Sequence, residues 1–336
     1  GNLISKTDGN GNTTTYTYDA LNRLTRKSYA DGTSTAFTYD TKGNLLTASN
    51  THITYSYTYD SNNRITGVSD SNGHSVTYQY DSMGNRTQMT SSDGRTTTYS
   101  YDTGNRLLQI STGAENFAFG YDASGRRVSL THPNGVTSSY SYDQGGRLTS
   151  LIHTAASGEI ERITYSHDGI GNRLSRTTLD NKNLYTYDKL YRLIQSLPIK
   201  FQGKGKEHTK KAEDFTYDPV GNRQTGPERK DYYNYNQGNQ LTSDRKHQYA
   251  YDGNGNLVTK TETDDDGETE IWVYAYDDEN RLISVVEQEE NETKTIAFKY
   301  DPFGRRIEKS VTEGSTTTTK RYFYDNEDIL FEHDES

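Results

Sequence analysis

The 336-residue chain carries a net charge of −10, eight histidines and no cysteine, which excludes disulfides and thiolate metal sites. Its acid is concentrated in residues 201–336, with 18 Lys/Arg against 30 Asp/Glu, so no basic face is available for phosphate and no nucleic acid is expected as partner. No apolar run approaches the roughly 18 residues of a membrane span, and 29 tyrosines supply the buriable rings that scarce Leu, Ile, Val and Phe do not.

Read from the N-terminus, Gly1-Asn2-Leu3 resembles the end of a turn, so the chain is expected to start inside a longer protein and to be truncated at both ends. A Tyr-Asp pair then recurs about every 20 residues, the signature of stacked supersecondary units. The pairs are Tyr18-Asp19, Tyr39-Asp40, Tyr59-Asp60, Tyr80-Asp81, Tyr101-Asp102, Tyr121-Asp122 and Tyr142-Asp143. They resume less evenly at Tyr187-Asp188, Tyr217-Asp218, Tyr251-Asp252, Tyr276-Asp277, Tyr300-Asp301 and Tyr324-Asp325, with His167-Asp168 and Tyr235-Asn236 as degenerate copies. Residues 1–336 therefore read as a single array of about 15 units, regular over 1–143 and irregular over 144–336.

Within a unit such as residues 13–33, the alternation Thr15-Tyr16-Thr17-Tyr18 puts both rings on one face of a β-strand. Asp19 and Asn22 are turn formers, and a second strand leaves from Leu24 to a two-residue hairpin turn at Asp31-Gly32. Similar punctuation stands at Asn72-Gly73, Asp93-Gly94, Asn134-Gly135 and Asp266-Gly267. Repetition is expected to stack the rings into ladders. Arginine follows the turn at Arg23, Arg64, Arg86, Arg106, Arg126, Arg147, Arg173, Arg192, Arg223, Arg281 and Arg305, and Gly84 marks the turn after Asp81. Each guanidinium is expected on a neighbouring ring or on the next unit's aspartate. Two strands per unit, at ~4.8 Å per strand, would give a sheet roughly 145 Å wide, too broad to stay flat. The expected fold is all-β, with tandem antiparallel hairpins forming a continuous curved, spiralling sheet shell around a hollow.

Residues 196–214, with Pro198, Lys200, Lys204, Lys206, Lys210 and Lys211, interrupt the strand pattern as an insertion loop. The stretch 262–292 is rich in acid, including Asp264, Asp265, Asp266, Glu268, Glu287, Glu289, Glu290 and Glu292, and reads as charged hairpin flanks that blunt edge pairing. Asp8-Gly9-Asn10-Gly11-Asn12 and Asp252-Gly253-Asn254-Gly255-Asn256 match the first half of a calcium loop but lack the glycine at position six, and turn chemistry explains them better. No histidine pair has metal-ligand spacing, and no nucleophile is paired with a base. No catalytic, cofactor-binding or metal site is expected, and the repeated Tyr, Asp and Arg positions read as structural.

The unit YDxxGNRL, present as YDSMGNR at 80–86, YDPVGNR at 217–223 and YDPFGRR at 300–306, closely resembles the YD repeats of the Rhs family. That family includes bacterial polymorphic toxins, wall-associated proteins, cocoon components of insecticidal toxin complexes and teneurins. The resemblance covers essentially the whole chain. It implies a structural shell segment, secreted or at the cell surface, whose partners are the remainder of its own shell and an enclosed C-terminal toxin domain absent from this chain. A delivery machinery or a cell-surface glycan would be a further partner; tyrosine-rich repeats also occur in carbohydrate-binding and adhesion modules, the alternative function. Asp301-Pro302-Phe303-Gly304 is similar to an Asp-Pro-x-Gly element of the family's core segment, but it sits in register as an ordinary repeat turn and takes no protease role.

Overall fold

The computed structural model describes residues 1–202, 206–226, 232–264, 267–289 and 292–335. Over these the chain is all-β: 31 strands pair antiparallel in two sheets, and no described residue is helical. In Thr13–Tyr18, Tyr16 and Tyr18 are half-buried while Thr15 and Thr17 face water, as the period of two requires. One step further back on the same face lies the best-buried position of the repeat. It holds Thr14, Thr35, Tyr55, Val76, Thr97 and Ser138, each five residues before its aspartate.

The expected ring ladders are replaced by a different pairing. Tyr57 lies opposite Val68, Tyr99 opposite Ile110 and Tyr140 opposite Leu151. The reason is the alternation of strands: each Tyr-Asp strand is flanked by return strands, so equivalent rings sit two strand spacings apart, about 9.6 Å.

The turns also differ from expectation. Asp31-Gly32 is not a two-residue loop, because Tyr29 N–H donates to Thr33 O and Gly32 N–H to Tyr29 O, leaving Ala30, Asp31 and Gly32 as a three-residue loop. Gly32 takes φ +86° there, the left-handed position that closes this loop type. The turns ending at Gly73 and Gly135 repeat the pattern. Two-residue loops occur instead at Gly113-Ala114 and Gly314-Ser315. The Tyr-Asp end uses the same three-residue geometry, with Asn22, Gly43 or Asn63 left-handed. Just before it the ladder slips: Thr17 faces Arg26 but Tyr18 faces Leu24, so Thr25 is an extra residue. This bulge recurs ahead of Tyr39, Tyr59, Tyr101, Tyr121, Tyr142, Tyr187, Tyr251, Tyr276 and Tyr300, adding local twist to each of these hairpins.

Among the described residues of 196–214, the strand pattern continues on both sides of Pro198. Strand Leu193–Gln202 runs through Pro198, which pairs with Asn183, and continues into a hairpin with Lys206–Thr209. Lys204, Asp265, Asp266 and Glu290 lie outside the described residues. The chain divides into two compact units, one of residues 1–78, 91–93 and 234–336, the other of residues 79–90 and 94–233. In the first, burial centres on Ala48, Ile53, Tyr55, Val76, Ile307 and Phe323. In the second it is sparser, at Met89, Thr97, Ser138, Ile163, Ser196 and Ile199.

Candidate functional site: the Tyr-Asp clasp

Each Tyr-Asp turn is organised by its carboxylate. Asp19 Oδ1 accepts the N–H groups of Leu21 and Arg23 at 2.9 and 3.0 Å, and Oδ2 accepts Arg23 Nε at 2.7 Å. Asp60, Asp122, Asp188 and Asp301 hold the same three donors around Arg64, Arg126, Arg192 and Arg305. Asp102 does so around Arg106 through Gly104 N–H, and Asp143 and Asp277 pair with Arg147 and Arg281. The carboxyls of Asp19, Asp60, Asp102, Asp122, Asp143 and Asp188 lie below the usual range, chiefly because the arginine N–H bonds the anion. Desolvation opposes this, and the guanidinium bond adds to it.

The arginine then reaches the next unit. Arg23 Nη1 donates to Asp40 O at 2.7 Å, and its guanidinium carbon lies 4.8 Å from the centre of the Tyr39 ring. Arg106 and Arg126 repeat both contacts on Asp122 and Tyr121, and on Asp143 and Tyr142. Arg192 does so on Asp218 and Tyr217, and Arg281 on Asp301 and Tyr300. The expectation that arginine bridges to the next unit's aspartate side chain is thus corrected. The ion pair is with its own aspartate, four residues back, where a short turn brings Nε to Oδ2, and the neighbour offers its carbonyl.

The tyrosine closes the link in the opposite direction. Tyr39 OH donates to Leu24 O, Tyr59 to Leu45 O, Tyr101 to Arg86 O, Tyr121 to Leu107 O and Tyr142 to Arg127 O, all at 2.8–2.9 Å. Tyr18, Tyr187, Tyr217, Tyr251, Tyr300 and Tyr324 do the same to Leu3, Arg173, Leu193, Leu241, Leu282 and Arg306. Tyr276 is shifted up by burial, as are Tyr39, Tyr59 and Tyr101.

Sequence reading treats the arginines as one class, and the geometry separates two. After Asp40, Asp81, Asp168, Asp218 and Asp252 the clasping position holds Asn44, Asn85, Asn172, Asn222 and Asn256, each donating Nδ2 to its aspartate at 2.8–2.9 Å. Arg86, Arg173 and Arg223 sit one residue later and stack on Tyr99, Tyr165 and Phe215. The one-residue offset between YDxxGNR and YDxxGR is the signal that separates them. Gly84, at φ +91°, holds the left-handed turn position.

In the first unit, hairpins of residues 1–78 meet hairpins of 234–336 turn against turn. The two Asp-Gly-Asn-Gly-Asn segments face each other: Gly9 N–H and Asn10 N–H donate to Asn254 Oδ1, Asn10 Nδ2 to Asp252 Oδ2, and Asn254 Nδ2 to Asp8 Oδ2. A Cβ on Gly9 would stand 2.1 Å from Gly253 O. Further along, Lys27 Nζ meets Glu279 at 2.7 Å, Asn50 Nδ2 donates to Tyr300 O, and Phe303 lies 6.2 and 6.4 Å from the Tyr55 and Phe37 rings. Asp325, in the last Tyr-Asp turn, accepts Tyr78 OH at 2.7 Å, while His74 packs on Phe323 and Phe331. Two identical pentapeptides 244 residues apart were the sequence signal for this seam.

Fold and clasp together define a tandem antiparallel hairpin array whose units are locked in series by Tyr, Asp and Arg. The profile of the RHS Repeat matches residues 1–34, 18–52, 59–96 and 121–160, and that of the Teneurin YD-shell matches residues 172–329. The chain belongs to the Rhs/YD-repeat family. It is 32% identical over 158 residues to double-stranded DNA deaminase toxin A of Burkholderia cenocepacia (strain H111), a match covering 46% of this chain and 10% of that protein. It is 35% identical over 130 residues to the tRNA nuclease WapA of Bacillus subtilis (strain 168), covering 36% of this chain and 5% of that protein. A crystal structure of TcdB2-TccC3-Cdc42 shares the fold, with a TM-score of 0.67 at 15% identity over 96% of this chain and 21% of that one.

Proposed function

We propose that this chain is a wall segment of a toxin-associated YD shell, secreted or at the cell surface, and that its repeated residues serve the wall and no reaction. The observation that carries this reading is the clasp. Each complete copy engages the Asp carboxylate, the Arg guanidinium and the Tyr hydroxyl in bonds within one unit or to the next. Such bonding fixes hairpin to hairpin and commits the side chains that chemistry would need. The two curated relatives are named as toxin and nuclease, and this chain spans a tenth of one and a twentieth of the other. In the proposal, their named activities belong to parts outside the matched segment. The array would be one body with the rest of its own shell, enclosing a C-terminal toxic cargo.

The test uses the longer polypeptide that carries the array. A C-terminal cargo should resist added protease in the intact protein and become digestible when several clasps are broken by Arg→Ala changes at Arg106, Arg126 and Arg147. Equal digestion in both would contradict enclosure. A second reading, carbohydrate binding, draws on a cleft of about 240 Å³ in the first unit, lined by Tyr29, His52, Arg281, Phe298 and Tyr300. Saturable binding on a glycan array, lost in Tyr29→Ala, would favour that reading over the wall.

A further inference from the structure

The buried place five residues before the aspartate carries a small polar network in several repeats. Thr35 there meets Tyr29 OH at 3.1 Å and Thr97 meets Thr112 Oγ1 at 2.8 Å, hydroxyl against hydroxyl. Ser138, 1% exposed, has histidines on both sides: its Oγ lies 3.1 Å from His132 Nε2 and 2.8 Å from His153 Nδ1. His132 opens the turn after strand Arg127–Thr131, Ser138 belongs to strand Thr137–Tyr142 and His153 to its partner Leu148–Ala155.

A hydroxyl has one proton to give. Between two imidazoles it donates to a ring nitrogen with a free lone pair and accepts N–H from the other ring. A first added proton leaves this intact, because the ring that already donates takes it on its far nitrogen. A second removes the last acceptor and strands a buried donor between two cations. The surroundings compensate one of these charges. Glu161 stands directly opposite His153 in strand Gly158–His167, whereas Glu159 is paired with Arg162. On the other side His132 meets the ring of Phe117, and Glu115 is exposed at the end of that strand. The Arg127 guanidinium, 4.6 Å from the ring of Tyr140, adds positive charge on the strand that carries Ser138.

The first unit has the opposite wiring at the same repeat position. His247, five residues before Asp252, lies 2.8 Å from Asp244 Oδ1 and 3.0 Å from Glu262 Oε2. Ionised carboxylates only accept, so both contacts need a ring N–H, and the imidazolium alone supplies two. Tyr249 OH donates to Asp244 Oδ2, and Lys246 and Lys260 also act on Glu262. Acid keeps this network closed.

We propose that the His132-Ser138-His153 relay is an acid-sensitive latch: as pH falls through the histidine range, the hairpins of residues 127–155 open locally while the His247 network of the first unit stays closed. The open state binds the second proton and the closed relay excludes it. The relay's contribution is therefore complete at neutral pH and is lost on acidification. Opening of this kind needs no enclosed cargo.

Hydrogen exchange of the whole chain, read by mass spectrometry at about pH 7.5 and about pH 5.5 and corrected for the intrinsic rate, tests this. Protection of residues 128–154 should fall with acid by up to about tenfold per pH unit, the limit for one linked proton. Residues 247–262 should keep theirs. His132→Gln/His153→Gln, whose amides hydrogen-bond without titrating, should lose the pH response although His167 and His208 remain in the same unit. His153→Gln alone serves if the double variant loses its circular dichroism, because a single histidine cannot take up the second proton. Equal protection of the wild type at both pH values, an undiminished response in the variant, or an equal loss at residues 247–262 would each overturn the proposal.

Discussion

At the residue scale, the carboxylate decides the turn and the ring decides the neighbour. An aspartate that accepts two backbone N–H groups and a guanidinium is stabilised as the anion, so its folded pKa falls below the unfolded one. Its contribution is complete above the unfolded value, near pH 4, and is lost as pH falls through the lower folded value. Acid titration followed by circular dichroism should therefore show unfolding that sets in below about pH 4 and shifts to higher pH in Asp122→Asn, which cannot form the ion pair with Arg126. The tyrosines carry the opposite sign. Burial raises the phenols of Tyr39, Tyr59, Tyr101, Tyr187, Tyr300 and Tyr324, and pushes Tyr57 up to about 12. Their contribution is complete below about pH 10 and disappears as pH rises through the folded values. Absorbance at 295 nm should show part of the tyrosine signal appearing only together with unfolding; full ionisation near pH 10 with the fold intact would contradict this.

Ring burial also predicts unequal truncations. Tyr101→Ala, at a half-buried ring with one hydroxyl bond, should cost about 1–3 kcal/mol. Tyr55→Ala, at a ring sealed in the seam, should cost about 3–5 kcal/mol. Urea denaturation of the two variants checks the order, and equal costs would mean the seam adds nothing.

At the element scale, the hairpin was largely legible and its turns only in part. Tyr-x-Tyr fixes the strand and its inward face, because a period of two has one solution once a large ring must be buried. Loop length was not legible, since Asp-Gly satisfies both a two-residue loop and the third place of a longer one. The buried place five residues before the aspartate was hidden by its varied occupants, from Thr14 to Tyr55 to Val76. The clasp was half legible: arginine after the turn pointed to a ring, but its partner depended on Nε reaching back four residues. Glycines at the seam separate two causes of strain. Gly9→Ala would set a methyl against the Gly253 carbonyl, and should lower the melting temperature and expose the amides of residues 252–256 to hydrogen exchange. Gly11→Ala meets no atom within 4 Å but keeps φ at +86°, and should cost only about 1–2 kcal/mol, with that exchange pattern unchanged.

At the scale of the whole molecule, a chain poor in aliphatic residues is held by repetition. Each unit buries little, so stability accumulates through links between neighbours, as in other repeat proteins. That the chain is a YD array was legible from the spacing of thirteen Tyr-Asp pairs. That its first 78 residues would meet its last hundred through paired turns was not, because long-range docking leaves no period, only the two matching pentapeptides. The proposed shell role requires these linked hairpins to form a bent wall around a hollow. Small-angle X-ray scattering on the dilute chain tests it most directly. A wall predicts a radius of gyration clearly above the roughly 20 Å of a compact 336-residue globule, with a distance distribution depleted at short separations. A radius near that of the globule, or the profile of a straight rod, would contradict it.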